Sequence, residues 1–139
     1  MARSNSVAKA FLIASGGKLL MLRRSATDRL LPGKLDLAGG WLDEGEEPVE
    51  GLLREIKEEA GIDLTADDVK LGYTSSNTFL GPKTTCYLFV GKLPEKFEVT
   101  LSYEHDAWFL LTLEEVLARY DHPVWLAGLN ELIKQDLIK

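Results

Sequence analysis

The sequence predicts a mixed α/β (α+β) fold, and three observations carry that expectation. Short β-compatible runs are punctuated by glycines, one amphipathic helix lies between a proline and a glycine, and a second helical pattern closes the chain. With 139 residues, 45% of them apolar, the chain can bury a sizeable core, so residues 1–139 are expected to form a single domain.

Residues 7–13 and 18–23 are β-compatible and flank Ser15-Gly16-Gly17, whose glycines supply the positive φ of a tight hairpin turn. Leu31-Pro32-Gly33 marks a turn. The short extended piece 35–38 then leads into Gly39-Gly40, read as a strand ending in a tight loop. A helix follows over 48–60, because Pro48 suits its first turn and Gly61 its left-handed stop. Val49, Leu52, Leu53, Ile56 and Ala60 recur at spacings of three and four, forming the core stripe. Residues 69–74, 84–93 and 107–111 read as strands, with Gly81-Pro82 as a turn. Residues 113–120 are helical; Pro123 then interrupts, and Trp125, Leu126, Leu129, Leu132 and Ile133 give a last amphipathic helix through about residue 137.

The net charge of -6 offers no general attraction for a polyanion, so neither a nucleic acid nor an anionic membrane surface is an expected partner. No apolar stretch approaches the 18 or more residues of a membrane span, and no cationic signal-like segment opens the chain. A cytoplasmic location is the expectation. Cys86, the single cysteine, sits in an apolar run and reads as a buried structural thiol.

The opposite face of the helix over 48–60 is acidic. Glu55, Glu58 and Glu59 stand at i, i+3 and i+4, where like charges repel, in the half of the helix whose dipole disfavours anions. Helix stability does not account for them. Clustered carboxylates suit a hard divalent cation, magnesium or manganese, with positions left for water and phosphate oxygens.

From Gly40 the chain reads Gly40, five residues, Glu46, seven residues, then Arg54-Glu55-Ile56-Lys57-Glu58-Glu59-Ala60-Gly61-Ile62. This resembles the Nudix box, G-x5-E-x7-R-E-U-x-E-E-x-G-U with U aliphatic, at every fixed position. Chance agreement is on the order of one in a billion per starting position at ordinary residue frequencies. The resemblance to MutT-like Nudix hydrolases implies a mixed β-sheet sandwiched between helices. It also implies two to three magnesium or manganese ions, held by Glu55, Glu58, Glu59, the Gly39 carbonyl and Glu104.

The implied reaction is hydrolysis of a phosphoanhydride bond in a nucleoside diphosphate linked to another group. A nucleoside triphosphate or an oxidised nucleotide is the first expectation, with nucleotide sugars and ADP-ribose as alternatives. Glu55 and Glu104 are the two candidate bases, Glu58 shares the catalytic carboxylate set, and Arg54 orients the carboxylates with Glu46. Arg24 resembles an arginine that contacts phosphate in some relatives. Gly40 and Asp121 are further substrate-binding candidates, and His122 precedes the last helix where some relatives place a base contact. His105 is assigned a structural or surface role. Trp41, Phe79, Tyr87 and Trp108 are read as core before being read as base-stacking platforms.

A non-catalytic nucleotide-binding module of the same fold is the alternative in kind, but such modules usually lose box carboxylates. An isoprenyl diphosphate isomerase would need a catalytic cysteine and a longer chain. Gly51 in mid-helix and Ala38, where many relatives have proline, depart from the usual pattern without touching the acids. The resemblance fixes neither the substrate nor the choice between monomer and homodimer.

Overall fold

The computed structural model describes residues 3–28 and 31–139. Its elements run β1 (Arg3–Ile13), β2 (Leu19–Arg24), β3 (Leu35–Asp36), β4 (Ala38–Asp43), α1 (Pro48–Ala60), β5 (Val69–Asn77), β6 (Thr84–Lys92), β7 (His105–Leu111), α2 (Leu113–Arg119) and α3 (Pro123–Lys134). β1 is the axis of the sheet. It runs parallel to β6 along one edge and antiparallel to β4, then β2, along the other. β5 extends the β6 side, while β3 and β7 both pair with β2.

Side chains alternate across a strand, so β1 feeds two cores. Val7 and Phe11 join Leu19, Met21 and Leu88 beneath Val116 of α2 and Trp125, Leu129 and Leu132 of α3. Ala8, Ala10 and Leu12 join Leu20 and Leu22 beneath Leu52, Ile56 and Ala60 of α1. The sheet therefore lies between α1 on one face and α2–α3 on the other. Among the described residues no helix is long and apolar enough to cross a membrane.

Helix α1 has the expected span. Pro48 occupies its first turn, and Gly61 closes it with φ 69° and an N–H donated to the Lys57 carbonyl. Gly51 marks close packing: a Cβ there would lie 2.2 Å from Leu42 Cδ2 and 2.9 Å from Glu46 Oε1.

Two expectations need correction. The Gly39-Gly40 pair does not end a strand in a loop, because β4 runs straight through it with Gly39 opposite Lys9 and Gly40 opposite Ala8. At Gly39 φ is +126°, and an added Cβ would sit 2.2 Å from the Ala8 carbonyl oxygen. Only a residue without a side chain lets the two backbones pass this closely. The last helix also ends earlier, at Lys134, because Asp136 takes φ 63° and cannot continue it.

A polar cluster is buried where β1, β2, β3 and β7 meet. Asp36 is 6% exposed. Lys9 Nζ donates to its Oδ1 at 2.8 Å and to the Leu37 carbonyl at 3.3 Å, and the Leu37 N–H donates to Oδ1 at 2.9 Å. Arg24 Nη1 donates to Oδ2 at 3.0 Å, and His105 Nε2 lies 2.9 Å from the same oxygen. Burial alone would push the Asp36 carboxyl up, but the Lys9 ammonium, the His105 bond and Arg24 together hold it well below the usual range.

Two outcomes follow for stability. Gly39→Ala should cost about 3 kcal/mol or more in urea denaturation, since backbone strain and overlap add. Gly33→Ala, at φ 73° with nothing within 4 Å, should cost only about 1 kcal/mol. Asp36→Asn should cost about 3–5 kcal/mol at neutral pH by leaving buried cations without their anion. Because the folded carboxyl is depressed, its contribution is complete above the ordinary value of 3.8 and fades as pH falls below it. The stability gap between wild type and variant should narrow below that pH, and a constant gap would contradict the assignment.

Candidate active site

A cleft of about 320 Å³ opens beside α1 and the start of α3. Its acidic side is built by Glu55, Glu58 and Glu59 of α1, by Glu104 just before β7, and by Gly39 and Gly40 of β4. Its other side is mainly apolar, with Val7, Leu31, Leu35, Leu80, Trp41 and Trp125, and includes Lys9, Arg24, Asp36 and His122. A larger, shallower groove of about 760 Å³ at the far end of β1 gathers Asp67, Asp68, Lys70, Lys92 and Glu95 at its margins. It contains none of Glu55, Glu58, Glu59 and Glu104.

The acidic side is held by two devices. Gly39 donates its N–H to Glu59 Oε1 at 2.8 Å, fastening the end of α1 to β4. Arg54 Nε and Nη2 donate to the two oxygens of Glu46 at 2.7 and 2.9 Å, and its Nη1 reaches Glu55 at 3.1 Å and Glu58 at 3.1 Å. Glu46 also accepts the Asp43 N–H at 2.7 Å, so the guanidinium is anchored on a fixed carboxylate. Arg54 thus links Glu46 to Glu55 and Glu58. Gly40 leaves room for this arrangement, since a Cβ there would lie 3.0 Å from Glu55 Oε2.

The carboxylates are not at ease. Burial pushes Glu59 up to about 8, against the opposing pull of Lys9 and the Gly39 N–H. Burial also raises Glu55, partly offset by Arg54, and the anions Glu58 and Glu104 raise it further. Arg54 has Glu46 as its chief partner and cannot neutralise the remaining acids. Among the described residues no three such groups stand as a ready-made cage. Arg54 engages Glu55 and Glu58, and the Gly39 N–H engages Glu59. Oxygen-only donors with raised carboxyls nevertheless fit a hard divalent cation.

The structure brings Glu55, Glu58, Glu59, Glu104, Gly39, Gly40 and Arg24 to one cleft. Arg24 is held by Asp36 and by Asp28 at 2.7 Å. Asp121 lies outside, 74% exposed and 3.5 Å from Lys34, while its neighbour His122 lines the cleft. His105 is buried at 4% exposure and structural. Of the aromatics, Trp41 lines the cleft and Tyr87 packs on the α1 side. Phe79 is 64% exposed, its ring 6.0 Å from that of His122, and Trp108 is 40% exposed, so neither is core. Lys9, Asp36, Leu80 and Trp125 escaped sequence reasoning. The one available signal was a lone charge inside each of the apolar runs 7–13 and 35–38.

The NUDIX domain model matches residues 3–131. An uncharacterized Nudix hydrolase of Nostoc sp. is 35% identical over 101 residues, 72% of this chain and 55% of that protein. The asymmetrical bis(5'-nucleosyl)-tetraphosphatase of Mus musculus is 34% identical over 55% of this chain and 54% of its own length. The chain thus spans about half the length of the curated relatives it matches. Among solved structures, the MutT protein of Methanosarcina mazei Go1 superimposes with a TM-score of 0.78 at 29% identity, covering 96% of this chain and 95% of that one. An intact box, its acids facing a cleft, and a domain match across nearly the whole chain agree: the protein belongs to the Nudix family.

Proposed function

We propose that the protein hydrolyses a phosphoanhydride bond in a nucleoside diphosphate linked to another group, with a nucleoside triphosphate or oxidised nucleotide as the first candidate. The observation that carries this is the cleft lining, which joins Glu55, Glu58, Glu59 and Glu104 with the apolar surfaces of Trp41 and Trp125. Its volume of about 320 Å³ lies within the small-molecule range. A planar base suits the apolar wall, and a pyrophosphate suits the acidic side once cations are present.

Glu55, Glu58, Glu59, Glu104 and the Gly39 carbonyl would hold two to three magnesium or manganese ions. Such ions neutralise phosphate oxygens and bring a water's pKa toward neutrality. The chain's own contribution is positional and protolytic. Arg54 fixes Glu55 and Glu58, and Gly39 fixes Glu59. Glu55 or Glu104 accepts the proton of the attacking water, and the raised carboxyl of Glu55 brings it closer to the working pH of a general base. Arg24, which lines the cleft, is the candidate phosphate contact, and Gly40 gives the substrate close approach to β4.

Turnover assays over nucleoside triphosphates, oxidised nucleotides, nucleotide sugars, ADP-ribose and dinucleoside polyphosphates, with magnesium and with chelator, test this reading. A metal-dependent preference should fall on the order of a hundredfold or more in Glu58→Gln with Glu59→Gln, and about tenfold or more in Arg54→Ala. Nucleotide binding with no turnover of any member would favour a binding module instead. Metal affinity should also depend on pH. Glu59 sits at about 8, so a cation displaces its proton below that pH and meets the free carboxylate above it. Manganese titrated into the metal-free protein should bind more tightly at pH 8.5 than at pH 6.5, and Glu59→Gln should flatten the difference.

A further inference from the structure

The apolar side of the cleft carries an unequal set of hydrogen-bonding groups. Asp36 has nothing to offer a ligand: Oδ1 accepts from Lys9 and the Leu37 N–H, and Oδ2 is taken by Arg24 and His105. Lys9 lines the cleft and commits two of its three N–H groups, to Asp36 and the Leu37 carbonyl. Arg24 Nε and His122 Nδ1 are buried without a partner among the described residues. Spare capacity on this wall is therefore donor capacity at Lys9 and Arg24, plus one imidazole nitrogen that takes either role.

Charge and surroundings narrow the ligand. Lys9 is paired with Asp36 and also feels the charge of Glu59. Val7, Leu35, Leu80 and Trp125 make the remaining wall apolar. An uncharged carbonyl loses little on entering such a place, whereas a phosphate oxyanion loses its hydration beside a Lys9 ammonium already paired with Asp36. Burial, with the cations Lys9 and Arg24, also keeps His122 below its ordinary value against the pull of Asp36 and Asp121. The neutral ring is thereby favoured, and its Nδ1 can accept.

We infer that this side of the cleft selects a planar heterocycle with a lactam edge, an exocyclic carbonyl beside a ring N–H, the carbonyl paired with Lys9 and the N–H with His122 Nδ1. An amine in place of the carbonyl turns its own donors toward the Lys9 ammonium and finds both Asp36 oxygens occupied. Buried donors left unpaired are what make such a site discriminate. The inference rests on the reading that the cleft takes a nucleotide, and goes beyond it by stating which bases.

Inosine and adenosine differ in this way at one edge, and so do uridine and cytidine. The four triphosphates compared as substrates, and the four monophosphates compared by calorimetry, test the inference on the intact protein. Within each pair the lactam member should be favoured about tenfold or more. Lys9→Met should bring both ratios to within about threefold. His122→Ala, which leaves the buried ion pair untouched, should lower them as well. Equal turnover and equal binding within both pairs of the wild type overturn the inference while leaving the hydrolase reading intact. Metal-dependent turnover of no nucleotide in the wider panel, with none of the monophosphates bound, overturns the underlying reading instead.

Discussion

The carboxylate of Asp36 ties separate stretches of chain to one another at the floor of the cleft. Lys9 comes from β1, Arg24 from β2 and His105 from β7, and all three converge on this one residue of β3. Ionised groups leave water at large cost and stay charged only when each finds a partner, so the cluster succeeds or fails as a unit. Its placement has two consequences. Lys9 and Arg24 become cleft wall instead of solvent-facing strand residues, and His105 settles the start of β7, so that its neighbour Glu104 faces the acids of α1. The Glu104 carbonyl, which accepts the Ser25 N–H at 3.0 Å, adds a second anchor to that turn.

Helix α1 answers to a different constraint. Its core stripe packs Leu52, Ile56 and Ala60 against the small residues Ala8 and Ala10 of β1, and Gly51 lets Leu42 approach. The face that results carries acids that repel one another, one of them almost wholly buried. Left alone, that face weakens the helix. Arg54 on Glu46 and the Gly39 N–H on Glu59 fix the unfavourable groups in place without neutralising them. The local sequence conflicts with helix stability at the place where binding of cations would relieve the conflict, a pattern in which structure is strained where function resides.

The two halves of the cleft are thus made by different means. The acidic half is local, with three of its carboxylates on consecutive turns of one helix. The apolar half is assembled from β1, β2, β3, the β5–β6 connection and the start of α3, elements far apart in the chain. Under the proposed function the acids of the first half would hold the cations, and the second half would meet the group attached to the phosphates.

The sequence by itself determined what depends on near neighbours. The span of α1 follows from Pro48, Gly61 and a period of 3.6, and the glutamate set follows from spacings of three and four on that helix. The first hairpin follows from two β-compatible runs flanking Ser15-Gly16-Gly17, and the sandwich from the box resemblance. Only the tertiary structure decided what depends on close approach between distant segments. Gly39-Gly40 reads locally as a turn and is a strand interior, because the backbone of β1 passes where a side chain would stand. Lys9 reads as an interruption in an apolar strand, and its meaning lies in an aspartate 27 residues away that no periodicity connects to it. Asp121 and His122 are adjacent in sequence, yet at the entrance to α3 one faces Lys34 and the other the cleft. Burial and pairing across the sheet set these roles, and they come into being only when the strands meet.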